Sequence, residues 1–241
     1  AYLTQRVDDG RLMVVKTIAG ERLADETAGE RFMDEAELAM SVNHDHVVDI
    51  VDVGFTDGFG MMAMEFFPGG DLKAQIEKGV DSDAALSYLR QIALAIEAIA
   101  SAGIVHRDLK PGNLMFRQDG SLALADFGIA KRLNDGSLDT TFGQVLGTPA
   151  YFSPEQAKGL GVDTRTDLYS AGVIFFEMLS GARPYDVPTI ESMIYHHVHV
   201  DVPPLPPRFA EFQSLVDRLL AKQPDHRFAD ASALIKAIDA G

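Results

Sequence analysis

The sequence predicts an α+β fold of two lobes, in which a small antiparallel sheet with one helix precedes a larger, mainly helical lobe. Three Asp-Gly pairs stand between apolar runs, at positions 9–10, 57–58 and 119–120. Such pairs favour tight hairpin turns of type I′, in which both central residues have positive φ. A Pro-Gly-Gly run at 68–70 ends this pattern, and mostly helical patterns follow. We therefore expect one lobe over residues 1–67 and the other over 68–241.

The apolar patterns define the individual elements. The three predicted hairpins join residues 1–7 with 12–18, 47–56 with 59–67, and 114–117 with 122–125. Between the first two hairpins, apolar residues repeat at helical spacing and acidic residues fill the other face, which predicts a helix over Glu30–Val42. Further helices are predicted over Asp83–Ala102, Asp167–Ser180, Ile190–Val198, Ala210–Ala221 and Asp230–Ala240.

Composition excludes several classes of protein. A formal charge of −15 argues against nonspecific binding of nucleic acid. The longest apolar run, near residues 171–176, is too short to cross a bilayer, so we expect no membrane contact from this segment. The absence of cysteine agrees with a reducing cytoplasm. An acidic surface favours basic substrates mildly, although solubility explains it more simply.

One run of residues carries most of the chemical information. His106 to Asn113 reads His-Arg-Asp-Leu-Lys-Pro-Gly-Asn, and Asp126 opens an Asp-Phe-Gly sequence 18 residues after Asp108. In this arrangement Asp108 would accept the proton of a substrate hydroxyl, and Lys110 would neutralise charge on a transferred phosphate.

The same run offers ligands for a metal ion. Asn113 and Asp126 provide an amide and a carboxylate oxygen, which suit Mg²⁺. The alternative is that Asp126 forms a turn at the end of a strand and that Asn113 is only a cap.

Lys16 lies on an apolar face of a predicted strand and needs an anionic partner. Glu35 projects from the inward stripe of the neighbouring helix, so the two side chains are expected to pair. The alternative is that Glu35 pairs with Arg31 one turn earlier while Lys16 extends to water.

These motifs resemble those of eukaryotic-type Ser/Thr protein kinases, most closely the bacterial branch, along essentially the whole chain. The resemblance implies a bilobal kinase fold in which Lys16 and Glu35 form the ion pair that positions the nucleotide phosphates. The run Gly-Thr-Pro-Ala-Tyr-Phe-Ser-Pro-Glu at 147–155 looks like the end of an activation segment. By the same resemblance, Glu155 pairs with Arg227 and Asp167 braces the catalytic loop.

The resemblance also assigns the nucleotide site. Backbone groups of Glu65 and Phe67 would meet the edge of adenine, and Asp71 would meet the ribose hydroxyls. Val14 and Met115 would lie on the two faces of the base, and Met64 resembles the gatekeeper residue beside it. The alternative for these apolar residues is an ordinary place in the core.

The implied activity is transfer of phosphate from ATP, with Mg²⁺ or Mn²⁺, to Ser/Thr hydroxyls of proteins. Lys110 and Thr148 indicate Ser/Thr rather than Tyr substrates, by resemblance. A phosphate on Thr140 or Thr141 would be held by Arg107 and would order the activation segment. The family's Gly-rich loop is expected upstream of Ala1, and the alternative is a kinase that handles phosphates without that loop. A longer parent protein with a membrane anchor is compatible with the resemblance, as is dimerisation.

Two other functions are compatible with parts of the pattern. A pseudokinase would use the fold as a binding or regulatory module, but the expected catalytic residues are all present. A small-molecule phosphotransferase would need the catalytic aspartate and metal ligand but not the Ser-Pro-Glu run at 153–155.

Overall fold

The computed structural model describes residues 1–18, 33–34, 36–56, 59–126 and 148–240. Its N-terminal part is an antiparallel sheet in the order β1-β2-β4-β3. The strands are β1 (Tyr2–Gln5), β2 (Leu12–Ile18), β3 (Ile50–Thr56) and β4 (Phe59–Glu65). Helical residues 33–34 and 36–40, here α1, belong to the helix predicted over Glu30–Val42. A mainly helical lobe follows, so the predicted α+β architecture is confirmed, while the boundary after residue 67 stays a prediction.

The first and third hairpins form as predicted, but their turns differ from type I′. Only the glycine of each Asp-Gly pair has positive φ, 73° at Gly10 and 84° at Gly120. The aspartate instead accepts a backbone N–H two residues ahead: Asp9 Oδ1 binds Arg11 N at 3.0 Å, and Asp119 Oδ1 binds Ser121 N at 2.9 Å. This local bond favours a longer loop with one left-handed glycine. Positions 57–58 lie outside the described residues.

Strand β3 begins three residues later than predicted, because its expected start pairs elsewhere. Val48 N–H donates to Leu124 O, and Leu124 N–H donates to His46 O, both at 2.9 Å. Leu124 ends a hairpin of β5 (Leu114–Phe116) and β6 (Leu122–Leu124) in the larger lobe. The segment before β3 therefore ties the small sheet to the second lobe.

The second lobe consists mainly of helices: α2 (Leu72–Lys78), α3 (Ser82–Ser101), α4 (Pro154–Ala157), α5 (Thr164–Ser180), α6 (Ile190–His199), α7 (Gln213–Leu219) and α8 (Ala231–Asp239). Short 3₁₀ turns cover Pro111–Asn113, Pro149–Tyr151, Pro207–Phe212 and Pro224–His226. The five predicted helices are present, although α7 is shorter than expected because a 3₁₀ segment occupies its start. Sequence patterns missed the short helices α2 and α4. Across the described ranges, no helix is both long and apolar enough to cross a membrane.

Helix α5 lies at the centre of the core. Residues Thr166 to Phe176 are all buried, so the helix is enclosed on every side. Gly172 allows α7 to approach closely, since a Cβ built there would lie 2.7 Å from the Cβ of Leu219. The glycine is therefore required by packing and not by backbone conformation.

We expect Gly172→Ala to destabilise the fold. Overpacking costs about 1–3 kcal/mol, which exceeds the gain of about 1 kcal/mol that alanine brings to a helix. The measurement is the free energy of unfolding in urea. Gly161→Ala is the matched control, because a Cβ at that position meets no atom within 4 Å. Equal stability of both variants would contradict this account of the helix contact.

Candidate active site

The loop before Asp108 is held by one buried carboxylate. Asp167 on α5 is fully buried, and its two oxygens accept the backbone N–H groups of His106 at 2.8 Å and Arg107 at 2.9 Å. A buried carboxylate needs such donors, since its charge has lost the hydration of water. The expected bracing role of Asp167 is confirmed by this geometry.

Two non-glycine residues of the described chain have positive φ, and both lie in this region. They are Arg107 at 63° and Asp126 at 60°. This conformation is sterically costly for residues with a Cβ and persists only where the surroundings impose it. The backbone conformation at Arg107, directly before Asp108, and at Asp126 is therefore specified by tertiary contacts.

Asp108 lies at the centre of a small polar cluster. Its side chain is nearly buried, and Lys110 Nζ donates to Asp108 Oδ2 at 3.0 Å. Asn113 Nδ2 donates to the Asp108 carbonyl at 2.9 Å and lies 3.4 Å from Oδ2. The 3₁₀ turn Pro111–Asn113 brings the three side chains together over six positions. The predicted grouping of carboxylate, ammonium and amide is present.

His106 forms a hydrogen bond within the same loop. Its Nδ1 accepts the N–H of Asp108 at 3.3 Å, and burial lowers the pKa of the imidazole. The ring therefore stays neutral at physiological pH and acts as a hydrogen-bonded support.

Asp126 meets this cluster from the end of the β5–β6 hairpin. The N–H of Ala125 donates to the Asn113 carbonyl at 2.8 Å, which places Asp126 next to Asn113. Asp126 Oδ1 also forms an ion pair with Lys16 Nζ on β2. The two lobes thus bring residues 110 positions apart into contact.

The expected partner of Lys16 was Glu35, which lies outside the described residues. The ion pair with Asp126 was not predicted. Lys16 and Asp126 are both half-exposed, so the pair is accessible to solvent.

The donor set near Asn113 fits magnesium. One amide oxygen and one carboxylate suit an ion that keeps most of its ligands as water and phosphate. Because Asn113 Nδ2 donates to Asp108, the amide oxygen Oδ1 is the atom available to a metal. No group of three or more His, Cys, Asp or Glu side chains able to hold a metal occurs in the part of the chain that is described.

The residues expected around a nucleotide base line the junction of the lobes. Val14 on β2 pairs in register with Met64 on β4. Asp71 caps α2 through Ala74 N–H at 2.8 Å, and its backbone bridges to Met115 on β5. These residues are therefore distributed between the two sheets.

Glu65 and Phe67 lie at the start of the crossover between the lobes, and both are buried. Glu65 N–H donates to the carbonyl of Asp49 at 3.0 Å, so its amide is used within the sheet.

The end of the expected activation segment packs against the second lobe. Arg227 binds both oxygens of Glu155, at 2.7 and 2.8 Å, as expected from the family resemblance. Burial alone would raise the pKa of Glu155, but the hydrogen bonds from Arg227 and Thr166 lower it overall. The carboxylate is therefore charged and anchors α4.

Gln156 connects this segment to the loop that contains Arg107 and Asp108. Its Nε2 donates to the carbonyl of Arg107 at 2.8 Å, while its Oε1 accepts the N–H of Ser153 in a capping box. The Ser-x-x-Gln pattern at 153–156 is a signal that sequence reading missed. Thr148 lies just before this region, whereas Thr140 and Thr141 lie outside the described residues.

A second buried network, absent from the sequence-based expectations, holds the turn after Thr148. The fully buried His197 lies 3.1 Å from the carbonyl of Ala150 through Nε2 and 3.0 Å from the Tyr169 hydroxyl through Nδ1. A neutral ring with its proton on Nε2 satisfies both contacts. No periodicity reveals this set, because its members come from three remote elements.

Fold and site together define a class of protein. A model of the protein kinase domain matches residues 1–237, so the chain belongs to the protein kinase family. The chain also matches the crystal structure of a mutant PknI kinase domain from Mycobacterium tuberculosis, with a TM-score of 0.76 at 24% identity. That match covers 100% of this chain and 90% of the solved one, and it shows the shared fold.

Named relatives are bacterial. The chain is 38% identical over 250 residues to the serine/threonine-protein kinase pkn2 of Myxococcus xanthus, covering 96% of this chain and 30% of that protein. It is 35% identical over 233 residues to PknL of Mycobacterium tuberculosis, covering 93% of this chain and 57% of that one. A probable serine/threonine-protein kinase of Clostridium acetobutylicum is 35% identical over 234 residues, with coverage of 93% and 35%. The chain thus spans about a third of two of these relatives.

We expect His197 to make stability depend on pH. Burial first, and then nearby Lys222, lower the pKa of His197 from 6.5 to about 4. Stability from the neutral ring is full above pH 6.5 and is lost as pH falls towards 4, because the unfolded chain binds the proton more tightly. Between pH 7 and pH 5 the parent should lose about 2 kcal/mol more unfolding free energy than His197→Gln. The measurement is the free energy of unfolding of both proteins as a function of pH. If it falls by the same amount in both between pH 7 and pH 5, His197 does not titrate in this way.

Proposed function

We propose that this chain is the catalytic domain of an ATP-dependent protein kinase that phosphorylates serine and threonine hydroxyls. The observation that carries the proposal is the cluster of Asp108, Lys110 and Asn113 beside the Lys16–Asp126 ion pair. The bacterial relatives, which are named as serine/threonine-protein kinases, support the same activity. The proposed use of ATP also fits the cytoplasmic location expected from the sequence.

Asp108 is the proposed catalytic base. Its nearly buried carboxylate is oriented by Lys110 and by the loop that Asp167 holds. In the proposed reaction the hydroxyl oxygen of the substrate attacks the γ-phosphorus as the bond to the ADP oxygen breaks. The hydroxyl proton passes to Asp108, and orientation of the hydroxyl contributes as much as proton removal.

Two lysines have separate roles in this proposal. Lys110 lies 3.0 Å from Asp108 and is placed to neutralise charge on the phosphoryl group in transfer. Lys16 approaches from the other lobe and would bind the phosphates that remain with ADP. Its contact with Asp126 keeps the ammonium beside a proposed metal ligand.

Asn113 and Asp126 would hold the metal. Mg²⁺, when bound, neutralises the phosphate oxygens and aligns them for in-line transfer. The amide of Asn113 is oriented by its bonds to Asp108, and Asp126 is fixed by its backbone conformation. Both ligands are therefore positioned before a metal arrives.

The remaining residues give the proposed substrate preferences. The backbone of Glu65 and Phe67 would bind adenine, with Val14 and Met115 on its two faces and Asp71 at the ribose. Serine or threonine as acceptor rests on Lys110 and Thr148, by family resemblance. Glu35 would complete the Lys16 site from a segment outside the described residues.

We expect Asp108→Asn to abolish phosphate transfer from labelled ATP to a generic basic protein. The loss should be at least about 100-fold, because a positioned base contributes about that factor or more. The control is Asp83→Asn, which changes an exposed aspartate on α3. Equal activity of parent and Asp108→Asn would refute the catalytic role, and nucleotide binding without transfer by the parent would identify a pseudokinase.

We also expect the protein to phosphorylate its own activation segment. Ser137, Thr140 and Thr141 lie between Asp126 and Glu155, and Arg107 would hold a phosphate there. After incubation with ATP and Mg²⁺, mass spectrometry should find phosphate within residues 137–141 of the parent and none in Asp108→Asn. A fully active protein without phosphate in this stretch would contradict the expectation.

A further inference from the structure

The crossover between the lobes comprises residues 65–71, and its last part pairs with strand β5. Gly69 N–H donates to the carbonyl of Phe116 at 3.0 Å, and Phe116 N–H donates to that of Gly70 at 2.8 Å. A Cβ on Gly69 would lie 2.6 Å from the Cβ of Phe116, so only glycine permits this approach. The later half of the crossover is therefore held by the backbone.

The first half of the crossover is held by a side chain. Arg117, which directly follows β5, binds Glu65 with both arms of its fork: Nε meets Oε2 at 2.9 Å and Nη2 meets Oε1 at 2.6 Å. Two parallel charge-assisted bonds restrict orientation as well as distance. Glu65 is buried, and the carboxylate has little contact with solvent.

Arg117 also contacts the segment that precedes β3. Nη2 donates to the carbonyl of Val47 at 3.1 Å, and Nη1 donates to that of Asp45. Its guanidinium lies 5.6 Å from the ring centre of Phe67. One side chain thus connects β5, the crossover and the segment before β3.

The carboxylate of Glu65 makes a further bond within its own lobe. Oε1 accepts the N–H of Asp49 at 2.9 Å, and Glu65 N–H donates to the carbonyl of Asp49 at 3.0 Å. The backbone N–H and the carboxylate of Glu65 therefore both form hydrogen bonds with Asp49 in the first lobe. The peptide groups that follow Glu65 therefore run between two fixed points, Glu65 and Gly69.

We propose that Arg117 is a positioning residue that sets the preference for adenine over guanine, by fixing the backbone of Glu65 and Phe67. The inference rests on the proposed function, in which the carbonyl of Glu65 and the N–H of Phe67 bind the base. Adenine presents a donor at N6 beside an acceptor at N1, which fits a fixed carbonyl followed by a fixed N–H.

Guanine presents the opposite order, with an acceptor at O6 and a donor at N1. Against a rigid crossover, guanine O6 would face the Glu65 carbonyl and guanine N1–H would face the Phe67 N–H, so neither pair could form a hydrogen bond. Unpaired polar groups of this kind are costly in a buried site. A crossover that can rotate its peptide groups loses this discrimination. The selectivity therefore depends on how firmly Glu65 is held.

The test measures kcat/KM for ATP and for GTP with a generic basic protein as acceptor. Arg117→Met should lower the ATP-to-GTP ratio of kcat/KM by about tenfold, since a mispaired buried polar group is worth about that factor or more. Arg117→Lys keeps the charge but loses the fork, so its ratio should fall between those of the parent and Arg117→Met. A general loss of active protein lowers both values equally and leaves the ratio unchanged.

Two further variants separate a change in nucleotide selectivity from a loss of folding. Arg117→Met leaves the Glu65 carboxylate buried without its partner, which is strongly destabilising. The double variant Glu65→Met with Arg117→Met removes both charges and should fold while showing the same lowered ratio. Arg165→Met is the matched control, because it removes an arginine that binds both oxygens of Asp163, and also Asp225, on the surface of the second lobe.

The outcomes separate the inference from the proposed function. A lowered ratio in the double variant and an unchanged ratio in Arg165→Met support the role of Arg117. An unchanged ratio in folded Arg117 variants, with an active parent, overturns that role alone. A parent that transfers phosphate from neither nucleotide overturns both the proposed function and the inference.

Discussion

The candidate active site depends on the carboxylate of Asp167, which lies fully buried in helix α5. A charge in that position is tolerated because it accepts hydrogen bonds, and the N–H groups of His106 and Arg107 provide them. These bonds, together with the bond from Gln156 to the Arg107 carbonyl, help to hold the loop in the positive φ of Arg107. Asp108 is the next residue, so the direction of its side chain depends on the hydrogen bonds between the buried helix and this loop.

The second constraint is the connection between the lobes. Lys16 belongs to the small sheet and contacts Asp126, while Val48 pairs with Leu124 of the second lobe. The crossover is bound to β5 at both of its halves, by Arg117 and by Gly69. The surfaces proposed to meet the nucleotide are therefore set by contacts between lobes, and neither lobe would form them alone. This arrangement explains why so many site residues lie at element ends.

Sequence patterns predicted the site best where its parts are close in the chain. Asp108, Lys110 and Asn113 fall within six positions, and one 3₁₀ turn is enough to bring them together. Predictions were weaker where a side chain competes locally with the backbone, as when the aspartate of an Asp-Gly pair redirected the hairpin turn. They were also incomplete for Lys16, whose described partner, Asp126, is 110 residues away.

The sequence by itself determined the fold class, the main helices, the pairing of the strands and the grouping of Asp108, Lys110 and Asn113, because these follow from periodicity and short spacing. Only the tertiary structure decided that Arg117 binds Glu65, that His197 supports Ala150, and that Gly69 lies against Phe116. Arg117 and Glu65 are 52 residues apart in the chain, and His197 and Ala150 are 47 residues apart. Their meeting depends on how whole elements pack, and no local pattern of residues encodes which distant polar groups will share a buried site.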